Sequence, residues 1–528
     1  MYRTETFKAF TGLNNSTSLD KLLPTELITA ENIVYDSRGG YVKGFGRKRH
    51  TAEPLTINPL KRLIPFFKKD GTVVKMYNDG SHLWKDNGDG TFTKFRHEEE
   101  QEDYTMLTVD TWAGDIKDFF SHSDDKLYFL NGQYLHSMTG TTSESILGCS
   151  TPTGYELTNV HKCTMHEWYG GAFKHFYAGN PADASRVYFS EDNDPLHVKT
   201  ANSVVPTANL GKVTALKAHE DQVLVFYQRG IFRWAGGASG VLSADWHMIP
   251  ASSGATSNKA VVGVREKLVY TAEDGVYILE SLDTRRQNNA RKISADIGET
   301  YKNLVNKDKM AAVFDGRYLF IACCDGKLAY NNTVLVADFD LLHANEIGEL
   351  VPAWSVFTNC YVNDFMFISG ENVVYFAHAN NGLVMKFDPT YFNNDDEPLH
   401  MKAEHYLTLT DRYGVINPFA VHRIKQFLIA AKQYQETSTC KVKITCDYDD
   451  KTMDIDLNES FIWGKKWGLR WGWVDVVTKQ GKINEKARRV KVTIENNNLD
   501  ETFGLYAFGI NYNPGRTKGE KQGVNYTS

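Results

Sequence analysis

Apolar strands that turn back on themselves at a glycine recur along the first 400 residues of the chain. In each case a run of strand-forming residues is followed by a short polar turn and then by a second apolar run, which is the pattern of a β-hairpin. Five stretches show the pattern, at residues 73–85, 126–138, 223–234, 267–279 and 373–387, and a looser sixth covers residues 318–339. The turn glycines are Gly80, Gly132, Gly230, Gly275, Gly326 and Gly382.

The spacing of these hairpins predicts the architecture. Successive turn glycines lie about 50 residues apart, a period typical of repeated four-stranded modules. The one double-length interval contains another strand-like sequence, RVYFS, at residues 186–190. One such blade cannot bury its own apolar face and must stack on the next. The pattern therefore predicts an all-β protein with a β-propeller of about six or seven blades.

Beyond residue 400 the strands become longer and alternate strictly. Val442, Ile444 and Cys446 would share one face of a strand, and residues 489–495 alternate in the same way. One buried and one solvated face are typical of an antiparallel sheet, so we expect a C-terminal β-sandwich. We place an N-terminal arm that packs on or closes the propeller at residues 1–60, the propeller at 61–400, the sandwich at 401–513 and a flexible tail at 514–528.

Three local signals refine this scheme. Two small strands are expected on either side of the turn-rich residues 36–40. Ile297, Tyr301 and Leu304 recur at helical spacing, and Asp296 before them is a candidate N-cap, which predicts one short helix. The polar, proline-ended run at residues 393–398 is interpreted as a linker between propeller and sandwich.

Composition bears on the compartment more than on the function. The formal net charge of −6 disfavours adhesion of the whole chain to nucleic acid or to an anionic membrane. The seven cysteines are scattered, odd in number and without metal-type spacing, which indicates reduced thiols and folding in a reducing cytoplasm. The N-terminus has no apolar signal segment, and no apolar run approaches the roughly 18 residues of a membrane span.

A search for catalytic chemistry finds no specific signature. The chain has no phosphate-binding GxxxxGK[ST] loop, no HExxH and no GxSxG elbow. His161, Cys163, His166 and His175 lie close in sequence, but their spacing matches no metal finger. The acidic pairs, such as Asp124-Asp125, fall in turns where solvation explains them, and the turn of residues 77–84 lacks the residue order of a sialidase Asp-box. We therefore predict no enzyme activity, metal site or cofactor.

Residues 463–473 (WGKKWGLRWGW) have the most unusual local composition. Tryptophan and arginine are enriched where proteins bind each other, and indole rings also stack on sugars or bases. The alternative is a glycine-punctuated strand pair whose rings fill the sandwich core. We favour an interface slightly over a ligand site. The candidate interface residues are Trp463, Trp467, Arg470, Trp471 and Trp473.

Several short motifs resemble the structural tail proteins of tailed bacteriophages. The opening of such proteins matches Gly12-Leu13-Asn14, Glu31-Asn32-Ile33, Asp36, Gly39-Gly40 and Gly46-Arg47-Lys48. A loop after a Tyr-Phe strand matches residues 190–195, and a closing Gly-x-x-Tyr with a basic tail matches residues 509–512 and 516–519. The chain departs from the usual Arg-x-Gly after the second small strand, since it reads KGFGR at residues 43–47.

The resemblance is strongest to propeller-bearing nozzle or tail-hub proteins of short-tailed phages. It implies a virion protein, assembled in the host cytoplasm, that forms a homo-oligomeric ring, usually sixfold, around the DNA exit channel. Its partners would be the portal adaptor and fibres, with transient contact to the ejected genome, and its acidic balance would let duplex phosphates slide past. Two alternatives remain open: a carbohydrate-binding or glycan-hydrolysing propeller involved in host recognition, and an intracellular interaction hub.

Overall fold

Strands dominate the computed structural model. It describes residues 2–19, 21–37, 39–94, 97–100, 106–109, 115–132, 135–138, 148–150, 160–168, 172–199, 201–206, 209–220, 222–237, 240–251, 253–281, 288–345, 348–411, 413–416, 420–432, 439–447, 449–456 and 476–515. Over these residues the helical elements are the α-helix Gly298–Lys302 and the 3-10 turns Pro181–Asp183, Asn258–Ala260 and Lys307–Lys309. None of the helices in this part of the chain is long or apolar enough to cross a bilayer.

Seven four-stranded antiparallel meanders follow one another along the described chain, and we number them as blades 1 to 7. Blade 1 contains Arg62–Phe67, Val73–Asn78, Leu83–Asp86 and Phe92–Lys94; blade 2 contains Asp118–Ser121, Leu127–Leu130, Leu135–Met138 and Gly148–Ser150; blade 3 contains Lys162–Trp168, Ala172–Ala178, Val187–Phe189 and Ser203–Val204. Blade 4 contains Val213–His219, Gln222–Tyr227, Gly230–Gly237 and Gly240–Ile249; blade 5 contains Val261–Val264, Lys267–Thr271, Val276–Ser281 and Asn288–Lys292. Blade 6 contains Ala311–Phe314, Tyr318–Cys323, Thr333–Ala344 and Leu350–Thr358; blade 7 contains Val362–Ile368, Val373–His378, Val384–Asp388 and Gly46–Arg49. A separate hairpin, His97–Glu100 with Met106–Val109, follows blade 1.

The blades close into a ring. The first strand of each blade contacts the first strand of the next, and Val362–Ile368 of blade 7 contacts Arg62–Phe67 of blade 1. The fourth strand of blade 7 comes from the N-terminal region, because Gly46–Arg49 pairs antiparallel with Val384–Asp388. The prediction of a propeller of six or seven blades is confirmed, and the described residues form seven.

The predicted glycine hairpins are the second and third strands of the blades. All six turn glycines lie between or at the start of these strands, and the RVYFS sequence supplies the third strand of blade 3. Gly80 and Gly132 have φ of +92°, which side chains with a Cβ rarely adopt.

Apolar side chains fill the space between successive blades. Between blades 3 and 4, for example, the buried Trp234 ring lies edge-on to Phe176 and Phe189, with centroid distances of 4.7 and 5.2 Å. Similar buried clusters occur at the other blade junctions. Burying one such side chain stabilises the fold by about 1.5–3 kcal/mol. Apolar packing between neighbouring blades is therefore the main contribution to the stability of the ring.

Two further sheets form the predicted C-terminal sandwich, which is confirmed. One sheet has the order Val476–Ala487, His422–Lys432, Gly504–Asn513, Tyr41–Lys43 and Ile33–Tyr35, with Arg3–Lys8 also paired to Gly504–Asn513. The other has the order Thr29–Glu31, Met401–Thr408, Arg489–Asn496, Thr439–Cys446 and Asp449–Asp456. Cys440 and Cys446 are buried on one face, as their even spacing predicts.

The N-terminal 60 residues supply strands to both modules. Thr29–Glu31 pairs antiparallel with Met401–Thr408 of the sandwich and, through Glu31, in parallel with Val356 of blade 6. One nine-stranded sheet therefore runs from blade 6 into the sandwich. A short parallel pair, Gly12–Leu13 with Glu26–Leu27, lies between them.

Two local predictions need correction. The helix forms, and Ile297, Tyr301 and Leu304 are buried, but Ile297 itself is the N-cap residue. The first helical N–H, of Gly298, donates to the Ser16 hydroxyl at 2.7 Å. The Asp296 carboxylate instead lies 2.9 Å from Nε2 of His343. Residues 393–398 are not a free linker, because Asn393–Asn394 and Glu397–Pro398 form a hairpin added to the sheet of blade 7.

Candidate functional site at the propeller axis

The starts of the seven blades meet on one face of the propeller. The four strands of a blade alternate in direction, so the chain leaves each blade on the face where it entered. Each blade therefore begins on the same side of the ring. The turns between second and third strands lie on this side too. We call it the axial face.

A buried ion cluster occupies the axis near this face. The Arg62 guanidinium of blade 1 donates to the Asp118 carboxylate of blade 2 at 3.1 Å and lies 3.7 Å from the Asp364 carboxylate of blade 7. The three side chains are only 6%, 4% and 7% exposed. Charges this deeply buried are tolerated because they are paired, and removal of one partner would leave the other unpaired at high cost.

Hydrogen bonds from the short turn before blade 5 cross the axis to this cluster. The side-chain amide of Asn258 donates to Asp118 of blade 2 at 2.9 Å, and its oxygen accepts from the backbone N–H of Leu216 at 3.1 Å. The ammonium of Lys259 donates to the backbone carbonyl of Lys61 in blade 1 at 2.6 Å and lies 3.9 Å from Asp364. Since these bonds join blades on opposite sides of the ring, side chains close the axis, and it is not an open channel.

Several lysines lie around the closed axis on the axial face. In six of the seven blades a lysine is the first residue of the innermost strand or lies one or two positions before it. We call these residues the axial lysines. They are Lys61, Lys117, Lys162, Lys212, Lys259 and Lys309.

The turn glycines form part of the wall behind these lysines. A Cβ on Gly80 would lie 2.7 Å from Nζ of Lys61, too close for any real contact. A Cβ on Gly132 would lie 3.4 Å from Nε2 of His161 and 3.6 Å from Cε of Lys117. The repeated glycine therefore serves the turn and, in blade 1, leaves room for the lysine stem of the same blade.

A pocket of about 320 Å³ opens between the axial lysines. Its lining includes Lys61, Lys117, Lys259 and Lys309, together with a single acidic residue, Asp115. The Asp115 carboxylate lies 2.9 Å from Nζ of Lys117 and 3.6 Å from that of Lys61. One carboxylate is thus shared between two ammonium groups, and the pocket wall carries an excess of positive charge.

The titration of two axial lysines reflects this environment. Burial lowers the pKa of Lys259 to about 8; Asp364 and Asp115 oppose the shift, while Arg62 and Lys117 add to it. Burial also lowers the pKa of Lys162, and neighbouring Arg62, Lys212 and Lys117 lower it further against the effect of Asp118. Positive charge is therefore crowded here, and a bound anion would relieve the crowding.

A second buried polar cluster lies where the N-terminal region joins blades 6 and 7 to the sandwich, and we call it the joint. Asn32 donates through its amide to the Thr358 hydroxyl at 2.9 Å and to the His400 carbonyl at 2.7 Å. Its oxygen accepts from the Arg47 guanidinium at 2.8 Å and from the backbone N–H of Thr358 at 3.1 Å. Arg47 also donates to the Asn359 carbonyl at 2.7 Å.

The interface candidates named from sequence stay a prediction. Trp463, Trp467, Arg470, Trp471 and Trp473 lie outside the residues that the structure describes. Across the described ranges, no three His, Cys, Asp or Glu side chains converge as a metal site.

The histidines and acidic residues considered earlier have local partners. Nδ1 of His175 lies 3.0 Å from the Ser190 hydroxyl, and burial lowers the pKa of His175 to about 3. Asp124 lies 2.7 Å from Nδ1 of His122 and accepts from the Tyr128 hydroxyl. The Asp79 carboxylate accepts from the backbone N–H groups of residues 81 and 82, which is a turn contact.

Sequence reasoning missed the axial lysines. The available signal was a lysine at or just before the first apolar strand of six repeats, followed in each by a hairpin with its turn. Without the blade register, those lysines look like ordinary polar residues at strand ends.

Comparison with known proteins supports no functional assignment. No protein-family model and no curated protein matches the chain. Among solved structures, the extracellular domain of a candidate one component system from B. thetaiotaomicron is 9% identical with a TM-score of 0.42, and the match covers 91% of this chain and 64% of that one. PorZ, a surface component of the type-IX secretion system of Porphyromonas gingivalis, is 11% identical with a TM-score of 0.35 over 77% of this chain and 46% of PorZ. YCF48 bound to D1 peptide is 9% identical with a TM-score of 0.37 over 68% of this chain and 97% of YCF48. The chain thus spans less than two thirds of the first two proteins, and at these scores the similarities carry no functional argument.

Proposed function

We propose that this protein is a structural component of a phage tail, of the nozzle or hub type, that forms a ring in the DNA-ejection conduit and joins tail components. The observation that carries the proposal is the joint. Residues of the phage-like motifs, Asn32 and Arg47, are the ones that hold the propeller and the sandwich together there.

This construction suits a part that transmits force. The nine-stranded sheet crosses from blade 6 into the sandwich through the pair of Val356 with Glu31, and the N-terminal region supplies the fourth strand of blade 7. A flexible linker would let two modules rotate independently. Here the connection is a sheet with a buried polar cluster, so a neighbouring subunit that binds one module also positions the other.

Closure of the propeller axis limits where DNA could pass. Because Asn258 and Lys259 bridge opposite blades, the genome would not thread the propeller itself. The conduit would be the lumen of a ring of subunits, which requires a head-to-tail interface closed by rotation. We assign that interface to the tryptophan-rich segment that contains Trp467 and Trp471.

Native mass spectrometry with negative-stain imaging tests this role. We expect the wild-type chain to form a closed multimer, alone or with the portal adaptor. We expect W467A/W471A to lose the ring while circular dichroism stays unchanged. Y413A removes an aromatic side chain that is 65% exposed in the described structure, so it serves as the control and should retain the ring. A strictly monomeric wild-type protein that binds no tail component would contradict the proposal.

A further inference from the structure

We propose that the pocket between the axial lysines binds a compact, multiply charged phosphate group. The inference depends on the axial face alone and holds whether or not the chain forms a tail ring. Its basis is a concentration of cations on a protein whose overall formal charge is −6.

The charges at the axis divide into a balanced part and an unbalanced part. In the buried cluster, Arg62 and Lys259 face Asp118 and Asp364, so two cations meet two anions. The other lysines of the pocket wall are Lys61, Lys117 and Lys309. Asp115 is the one acidic residue that lines the pocket with them. The wall is therefore left with two positive charges in excess, and an anion in the pocket would neutralise them.

The lysines are held in place before any ligand arrives. Lys259 is anchored by the carbonyl of Lys61, and Lys309 lies 3.4 Å from the carbonyl of Ala329. The stem of Lys61 lies against Gly80, and that of Lys117 lies against Gly132. Lysines fixed in this way lose less conformational entropy on binding than free surface lysines.

The size and donor set of the pocket select the ligand class. A volume of about 320 Å³ is at the lower end of small-ligand sites, which suits a chain of a few phosphates. Each ammonium group carries three N–H donors and acts as a point charge. Several such groups around one cavity match the many acceptor oxygens of a polyphosphate better than a single carboxylate.

The test on the wild-type protein uses tripolyphosphate as the probe. Isothermal titration calorimetry should show saturable binding that weakens as salt is raised, because exposed charges are screened. Acetylation of lysines read by mass spectrometry should show Lys61, Lys117 and Lys309 protected at least threefold by the probe. Lys443, which is 46% exposed in the sandwich, should react unchanged. Absence of saturable binding, or equal protection of Lys443, would overturn the proposal without any variant that must fold.

A charge-matched pair of variants provides the second test. K61Q/K117Q/K309Q should lower the affinity for tripolyphosphate at least tenfold. K441Q/K443Q/K451Q removes the same charge from the sandwich and should change the affinity less than twofold. Equal losses in the two variants would mean that binding follows overall charge, and the site would be rejected.

Two sources of phosphate are separated by competition. If a 5′-phosphorylated DNA duplex displaces tripolyphosphate and the unphosphorylated duplex does not, the source is a nucleic-acid end. If neither duplex competes, the source is a free polyphosphate or a phosphorylated small molecule. Both outcomes support the phosphate site, whereas equal competition by both duplexes would indicate contact with the DNA backbone on an open surface and would count against the pocket.

Discussion

Replacement of Asn32 by alanine is the sharpest test of the joint. Asn32 is 2% exposed, and its side chain donates to the Thr358 hydroxyl. It also bonds three further groups, the Thr358 backbone N–H, the His400 carbonyl and the Arg47 guanidinium. A buried polar group left without a partner costs about 1–3 kcal/mol, so the three together predict roughly 3–9 kcal/mol. Asn32 also has φ of +50°, where alanine costs about 1 kcal/mol more.

The two contributions can be separated by matched variants. N32G tolerates the positive φ and should show only the loss of the polar contacts. Asn372 has φ of +52° in an exposed turn, so N372A should show only the backbone cost, about 1 kcal/mol. With an unfolding entropy of roughly 2 cal/mol/K per residue, N32A should lower the melting temperature by about 4–9 °C if the chain unfolds as one unit.

Urea and thermal unfolding followed by tryptophan fluorescence measure these differences. We expect the order of stability to be wild type, N372A, N32G and N32A. If N32A were no less stable than N372A, the polar contacts of Asn32 would contribute nothing, and the joint could not be what holds the two modules together.

Three further predictions follow from single contacts. G46A should open blade 7 and raise its sensitivity to proteases, since a Cβ there would lie 2.0 Å from the Tyr391 carbonyl oxygen. G370A, in a turn of the same blade with no atom within 4 Å of the added Cβ, should not. Burial alone would raise the pKa of Glu404, but hydrogen bonds and nearby lysines hold that pKa at about 2. The stabilisation by ionised Glu404 should therefore be present above pH 4.5 and be lost as the pH falls towards 2. E404Q should flatten that part of the urea-unfolding profile and cost roughly 3 kcal/mol of stability at neutral pH. Tripolyphosphate affinity measured by calorimetry should fall as the pH rises through about 8, where Lys259 loses its proton, and a K259M variant that retains the same fall would refute this assignment.

Much of the propeller was predictable from sequence because its hairpins are local. The two strands of each glycine hairpin are separated by a short turn, so their apolar pattern and turn residue together specify the pairing. Strands such as Val261–Val264 and Ala311–Phe314 follow from their apolar runs for the same reason. The sandwich strands are predictable from alternation, which places one face of each strand in the core.

The candidate sites were much less predictable. The axial lysines come from six blades and meet only because the ring brings every blade start to one face. Asp296 resembles a helix cap in sequence, yet a distant His343 binds its carboxylate, and the polar run at residues 393–398 becomes a hairpin once Gly46–Arg49 lies beside it. A local pattern cannot show a partner that arrives from hundreds of residues away.

The sequence by itself determined the β-class, the repeated hairpins and the alternating strands, since each depends on neighbours within a few residues. Only the tertiary structure decided that there are seven described blades, that an N-terminal strand completes the seventh, that the propeller and the sandwich share a sheet, and that cations gather over a closed axis. These features depend on pairing between distant segments, and such pairing is selected by burial and charge in the folded molecule.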